Sequence, residues 1–155
     1  MLYRSDLCVD IWDGNRGNFN KGTGSVAESQ KTVLIVEDNL VNQRVCKRLL
    51  DRFGVSSEVA NNGKEALDIM ARASFDLIIM DCQMPVMDGF ATTRAVRADV
   101  TGNPHTVIVA LTANAMKEDQ DACYAAGMND YLSKPIQMPL LKAMLLKHLT
   151  AGQTA

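Results

Sequence analysis

The stretch that most constrains the fold is Leu77-Ile78-Ile79-Met80-Asp81, an uninterrupted apolar run that stops at a carboxylate. A helix would need about ten or more residues, so a run of this length bounded by turn residues fits a parallel strand covered on both faces. Such a strand delivers a single acid to its carboxyl end, and Met84-Pro85-Val86-Met87-Asp88-Gly89 follows as a turn.

The same arrangement recurs. Val33-Leu34-Ile35-Val36 reads as a buried strand ending in Glu37-Asp38-Asn39, and Val107 to Leu111 as another ending at Thr112. Asp130-Tyr131-Leu132 is a brief last strand running into Ser133-Lys134-Pro135, while Ser57 to Ala60 alternates and looks like an edge. Between them lie helical patterns. Val41, Val45, Leu49 and Phe53 predict one inner face that Gly54 ends, and Asn62 to Glu65 has capping-box spacing before Ala66, Leu67, Met70 and Ala71. Asp88 caps a helix from Gly89 to Arg97, Asn114 opens one running to Ala126 before Gly127, and Pro139 fits the first turn of a last helix with Leu141, Met144, Leu145 and Leu149 inside.

Five strands alternating with five helices predict an α/β domain, a doubly wound sheet of parallel strands in the order 2-1-3-4-5 with helices on both faces. Ligands of such sheets gather beyond the carboxyl ends of the strands, where the order reverses. Glu37, Asp38, Asp81, Thr112 and Lys134 all fall at that rim.

Composition limits the alternatives. The chain has 155 residues and 47% apolar content, enough for one domain, which we place at residues 31–150. Residues 1–30, glycine-rich and without a sustained period, read as a linker or tail, and residues 151–155 as a short C-terminal tail. A net charge of -2 with no basic stripe argues against direct nucleic-acid binding. Apolar runs of about five residues fall far short of the roughly 20 needed to cross a bilayer, and Arg4, Asp6 and Asp10 interrupt any leader, so the expected location is cytoplasmic. Cys8, Cys46, Cys82 and Cys123 lie far apart without a metal-binding pattern and read as reduced thiols; Cys82 adjoins Asp81, but nothing nearby in sequence activates it.

Three carboxylates at one rim repel one another unless a cation joins them, and a hard divalent ion such as Mg2+ suits two carboxylates, a backbone carbonyl near Gln83 and water. A carboxylate in that setting can attack phosphorus while an ammonium and a hydroxyl neutralise the equatorial oxygens. Asp81, Lys134 and Thr112 are the candidates. Each has a plainer reading alone: Asp81 as a turn residue, Glu37 and Asp38 as a solvated helix cap, Thr112 as a cap, Lys134 as a surface charge and Tyr131 as a core aromatic.

Four motifs carry a resemblance: Val36-Glu37-Asp38-Asn39 with Asn42, Met80 to Gly89, Ala110-Leu111-Thr112-Ala113-Asn114-Ala115, and Tyr131-Leu132-Ser133-Lys134-Pro135-Ile136. From Lys31 to Thr150 the chain resembles the receiver domain of two-component response regulators, most of all receivers of hybrid sensor histidine kinases. The resemblance implies a flavodoxin-like fold and a phosphorelay role in which Asp81 takes a phosphoryl group from a phosphohistidine. It implies that Asp38 and Asp81 ligate Mg2+ with Glu37 mostly holding its waters, that Thr112 and Lys134 bind the phosphoryl oxygens, and that Tyr131 is an aromatic switch responding to Thr112. It also implies a cis Lys134-Pro135 peptide. The implied partners are a histidine kinase domain and a histidine phosphotransfer protein, the chain being a monomer or a weak phosphorylation-dependent dimer and a self-phosphorylating receiver, not a turnover enzyme. With only Ala151 to Ala155 after the last helix, relay is favoured over transcriptional output, and a fragment of a hybrid kinase, the cytoplasmic part of a membrane-anchored parent, over a stand-alone regulator. A haloacid-dehalogenase-type phosphatase would need a second aspartate where Gln83 stands, and a phosphorylation-independent interaction module is the remaining alternative.

Overall fold

A computed structural model of the chain describes residues 31–98, 102–114 and 116–149. The expected linker and C-terminal tail lie outside the described residues. The elements alternate as β1 (Thr32–Val36), α1 (Leu40–Arg52), β2 (Ser56–Ala60), α2 (Gly63–Met70), β3 (Leu77–Asp81), α3 (Gly89–Arg97), β4 (Val107–Thr112), α4 (Lys117–Ala126), β5 (Asp130–Ser133) and α5 (Met138–Leu149). The strands form one parallel sheet in the order β2-β1-β3-β4-β5, as the sequence pattern predicts.

Alternation along the buried strands sorts their side chains onto two faces. Val33, Ile35, Leu77, Ile79, Val109 and Leu111 point toward α1 and α5, where they meet Cys46, Leu50, Leu141, Leu145 and Leu149. Leu34, Val36, Ile78, Met80, Ile108 and Ala110 point the other way and meet Ala66, Ile69, Val96 and Cys123 of α2, α3 and α4. All five residues of β3 are buried. An uninterrupted apolar run is what a strand covered on both faces requires.

Register places the site. Val36 pairs with Met80, Met80 with Ala110 and Ala110 with Tyr131. Glu37 and Asp81, each one residue further on, therefore emerge side by side, and Thr112 pairs with Ser133, the residue before Lys134.

Three helical expectations need correction. In α1 the buried residues are Gln43, Cys46 and Leu50, while Val41 is 66% and Val45 43% exposed. A strict spacing of four advances about 400° per step on a 3.6-residue helix, so the line from Val41 to Phe53 drifts around the cylinder and only its end is buried. In α2 the buried set is Gly63, Ala66, Ile69 and Met70, with Leu67 half-buried and Ala71 exposed. The Asn62 side chain accepts from Glu65 N, but the Glu65 carboxylate reaches back to Asn61 N at 3.1 Å, one residue earlier than a reciprocal box requires. α4 begins at Lys117 and not at Asn114, because Thr112 Oγ1 donates to Asn114 O at 2.6 Å and accepts from Asn114 N at 3.2 Å, holding that segment as a turn. Gly127 closes α4 at φ 106°, as expected.

Candidate functional site

The carboxyl ends of β1, β3, β4 and β5 open into a cleft of about 240 Å³ whose lining includes Glu37, Asp38, Asp81, Gln83, Thr112 and Lys134. Carboxylate oxygens of Glu37, Asp38 and Asp81 all lie within 4.8 Å of one another. Lys134 Nζ sits between two of them, 3.1 Å from Glu37 Oε2 and 3.0 Å from Asp81 Oδ1. The Lys134-Pro135 peptide is cis, and Lys134 N donates to Thr112 O at 2.8 Å.

Glu37 is 1% exposed, so it is no solvated cap. The cap of α1 is Asn39, whose side chain accepts from Val41 N and Asn42 N; Asn39 N in turn donates to Glu37 Oε1 at 3.1 Å. Burial raises the Glu37 carboxyl above its usual range, the Asn39 and Lys134 contacts oppose that rise, and the Asp81 charge adds to it. Burial alone would lower Lys134, but the adjacent negative charges of Asp81 and Glu37 outweigh it and hold the ammonium above its usual range. Although Lys134 is close to Glu37 Oε2, no donor is aligned with that buried oxygen. Three converging carboxylates against one ammonium, with an acceptor left over, suit a hard divalent cation taken up through oxygen ligands.

Asp81 Oδ1 also accepts from Gln83 N at 3.1 Å, which fixes the chain as it turns away from β3. That turn is tight: Met87 N donates to Pro85 O at 2.7 Å, with Val86 at φ 68° and 80% exposed. A β-branched residue at positive φ is strained, and the loop is pinned at its far side by Asp88, which accepts from Ala91 N as the cap of α3.

Thr112 lines the cleft, but its hydroxyl is engaged with Asn114. Tyr131 stands outside that lining, half-buried on β5 with its ring edge-to-face against Tyr124, centroids 6.4 Å apart. The structure thus brings together Glu37, Asp38, Asp81, Gln83, Thr112 and Lys134, and sets Tyr131 outside that lining, against Tyr124 of α4. Phe90, Asp119 and Cys123 also line the cleft; sequence reading assigned Phe90 and Asp119 no role and marked Cys123 only as a reduced thiol, because Phe90 and Asp119 lie in the first turns of α3 and α4 and Cys123 further along α4, where no local pattern reports a cleft. Cys82, adjacent to Asp81, is buried at 5% exposure, and burial, followed by the neighbouring Cys123, pushes its thiol up.

A buried glutamine supports the acidic corner from behind. Gln43 Nε2 donates to Glu37 O at 2.6 Å and to Asn61 Oδ1 at 2.9 Å, and Asn61 is bonded to Glu65. Sequence reading missed it, since a polar residue in α1 looks solvent-facing until the helix phase is known.

Residues 33–146 match the family model described as the response regulator receiver domain. The chain is 43% identical over 134 residues to hybrid signal transduction histidine kinase B of Dictyostelium discoideum, covering 79% of this chain and 7% of the kinase. It is 40% identical over 132 residues to the osmosensing histidine protein kinase SLN1 of Saccharomyces cerevisiae, covering 81% of this chain and 11% of that protein. Among solved structures, the receiver domain of sensor histidine kinase PA1611 of Pseudomonas aeruginosa, with a magnesium ion coordinated in its active site cleft, superposes with a TM-score of 0.72 at 39% identity over 79% of this chain and 99% of that one. The receiver domain of Ssk1, crystallised with the histidine phosphotransfer protein Ypd1 of Saccharomyces cerevisiae, gives a TM-score of 0.72 at 32% identity over 77% of this chain and 88% of that one. The chain therefore spans only a small part of the hybrid kinases it matches. With its flavodoxin-like sheet and this kinship to hybrid-kinase receivers, the chain belongs to the response regulator receiver domain family of two-component systems.

Proposed function

We propose that Asp81 is the phosphoacceptor of a phosphorelay and that the cleft around it is a magnesium-dependent phosphoryl-transfer site. The observation that carries this reading is Lys134 Nζ placed 3.0 Å from Asp81 and 3.1 Å from Glu37 inside a cluster of three carboxylates at the end of a buried strand. A carboxylate oxygen of Asp81 attacks the phosphorus of a phosphohistidine, the P–N bond breaks, and the imidazole leaves. Lys134 neutralises the developing charge, and the Thr112 hydroxyl gives up Asn114 to donate to a phosphoryl oxygen. Asp38, Asp81 and the Gln83 backbone carbonyl would hold magnesium, with Glu37 holding its waters. Bound there, the ion supplies charge neutralisation for the phosphoryl oxygens. Movement of Thr112 would then draw Tyr131 inward as the switch.

The chain acts in this reading as a segment of a hybrid histidine kinase that relays its phosphoryl group to a histidine phosphotransfer protein. Support for that partner comes from the apolar strip Leu40, Val41 and Val45 on the outer side of α1, exposed by 62%, 66% and 43%, beside a cleft that Asn39 and Asn42 of the same region line. The co-crystallised Ypd1 and Ssk1 pair offers the analogy.

The test is to add magnesium and acetyl phosphate and record intact mass together with amide NMR spectra. The expected result is one added phosphoryl group, shifts at Asp81, Thr112 and Tyr131, and neither change in Asp81→Asn. An unmodified wild-type chain under those conditions would sink the proposal, and steady turnover of phosphate esters would favour a phosphatase instead.

A further inference from the structure

Cys82 and Cys123 are 41 residues apart in sequence, yet their sulfurs approach to 3.8 Å. Cys82 directly follows Asp81 at the end of β3, whereas Cys123 projects from α4. Their exposures are 5% and 1%, but both line the same cleft as Asp81 and Thr112. A cleft of about 240 Å³ gives a small neutral oxidant a route to sulfurs that bulky reagents cannot reach. The two sulfurs need approach by only about 1.8 Å to reach a disulfide bond length of about 2.05 Å.

We propose that Cys82 and Cys123 form an oxidation site for oxidants of the peroxide class, closing to a disulfide that ties the strand of Asp81 to α4. One sulfur attacks a peroxide oxygen, the O–O bond breaks, and a sulfenic acid forms as the first water leaves with the proton of that thiol. The second sulfur attacks the sulfenic sulfur, the S–O bond breaks, and the hydroxyl leaves as a second water with the other thiol proton. The pair loses two electrons and peroxide gains them. Burial makes the first step slow, so the site responds to sustained oxidant.

The crosslink has a consequence that rests on the phosphoacceptor reading above. Thr112 is held by Asn114 in the segment that leads from β4 into α4. Donation to a phosphoryl group on Asp81 requires that segment to move. A bond between residues 82 and 123 fixes α4 against β3 on the far side of the segment, and so opposes the movement while leaving Asp38, Asp81 and Lys134 in place.

The full chain is treated with hydrogen peroxide, free thiols are alkylated, and intact mass and peptide maps are recorded. The expected product has lost two hydrogens, carries a Cys82–Cys123 link reversed by dithiothreitol, and is absent in Cys123→Ser. Stable sulfinic acid without a link, or links made through Cys8 or Cys46 instead, would overturn the site. Beryllofluoride with magnesium is then titrated into oxidised and reduced wild type, with the Tyr131 signals followed by NMR. Oxidation should weaken the response about fivefold or more, and dithiothreitol should restore it within the same folded chain. Equal responses would overturn the coupling. A reduced protein that is itself silent would overturn the phosphoacceptor reading and the coupling with it, while a mapped link would still support the oxidation site.

Discussion

Gly89 leaves no room for a side chain: a Cβ there would sit 2.2 Å from Asp81 O and 3.0 Å from Cys82 Cα. The atoms it would meet are backbone, which cannot turn aside. Gly89→Ala should therefore destabilise the domain by about 1–3 kcal/mol or more through overpacking and displace Asp81, read as a lower Tm together with weaker magnesium binding. Gln43 poses the opposite problem, a buried polar group whose loss leaves partners behind. Gln43→Ala strips a donor from Glu37 O and Asn61 Oδ1, which should cost roughly 1–3 kcal/mol. Urea unfolding checks that cost, and a calorimetric magnesium titration should show weaker binding because Glu37 and Asp38 lose their backbone anchor. Sequence reading placed Gly89 in the turn after Asp81 and at the start of a capped helix, without its close approach to β3, and gave Gln43 no role, since both depend on contacts made across the fold.

Elements are locked together by two charged side chains that no motif announced. Arg97, in the last turn of α3, donates to Gly127 O, Pro104 O, Thr106 O and Asn129 Oδ1 at 2.6–2.8 Å, joining α3 to the entry of β4 and the end of α4. Arg97→Ala should lower stability by about 2–3 kcal/mol, since bonds from a charged donor are among the stronger ones and their acceptors lose it together; a urea melt measures it. At the start of β5, Asp130 accepts from Lys147 at 2.7 Å, His148 at 3.1 Å and Tyr131 N at 3.0 Å. Burial alone would raise this carboxyl, and those partners outweigh it, so it is held below the ordinary 3.8. A depressed acid contributes stability that is present above its unfolded value and lost as pH falls through the folded one. Urea midpoints of the wild type should thus drop as pH falls below 3.8, with α5 loosening from β5, and Asp130→Asn should be less stable at neutral pH and lack that part of the acid slope.

For the whole molecule, the sheet concentrates negative charge at one rim and leaves it partly uncompensated. Glu37, Asp38 and Asp81 converge on the ammonium of Lys134, the one cation paired with them among the described residues, so folding brings together charges that lie far apart in the unfolded chain. Magnesium that binds only the folded state should stabilise it by about 2.7 kcal/mol at a hundredfold excess over Kd. Asp81→Asn should be more stable than wild type in EDTA and gain less from magnesium, because it lacks one of the repelling charges. Thermal unfolding with EDTA and with magnesium measures both effects.

Much of the architecture was readable from the chain alone, because its strongest patterns are local. The runs ending at Val36, Asp81 and Thr112 are short, apolar and β-branched, and a strand buried on two faces tolerates little else. Their alternation with helices then leaves few topologies, and 2-1-3-4-5 is the one observed. What tertiary structure alone decided is helix phase, depth and proximity. The inner face of α1 lay one residue off the line through Val41 and Val45 because packing chose the rotation of the helix, not the spacing of its apolar residues. The start of α4 moved because Thr112 bonded to its own turn. Gln43 beneath Glu37, Arg97 across three segments and Cys82 against Cys123 are long-range pairings, and one-dimensional periodicity reports which face a residue can occupy but not what it meets there.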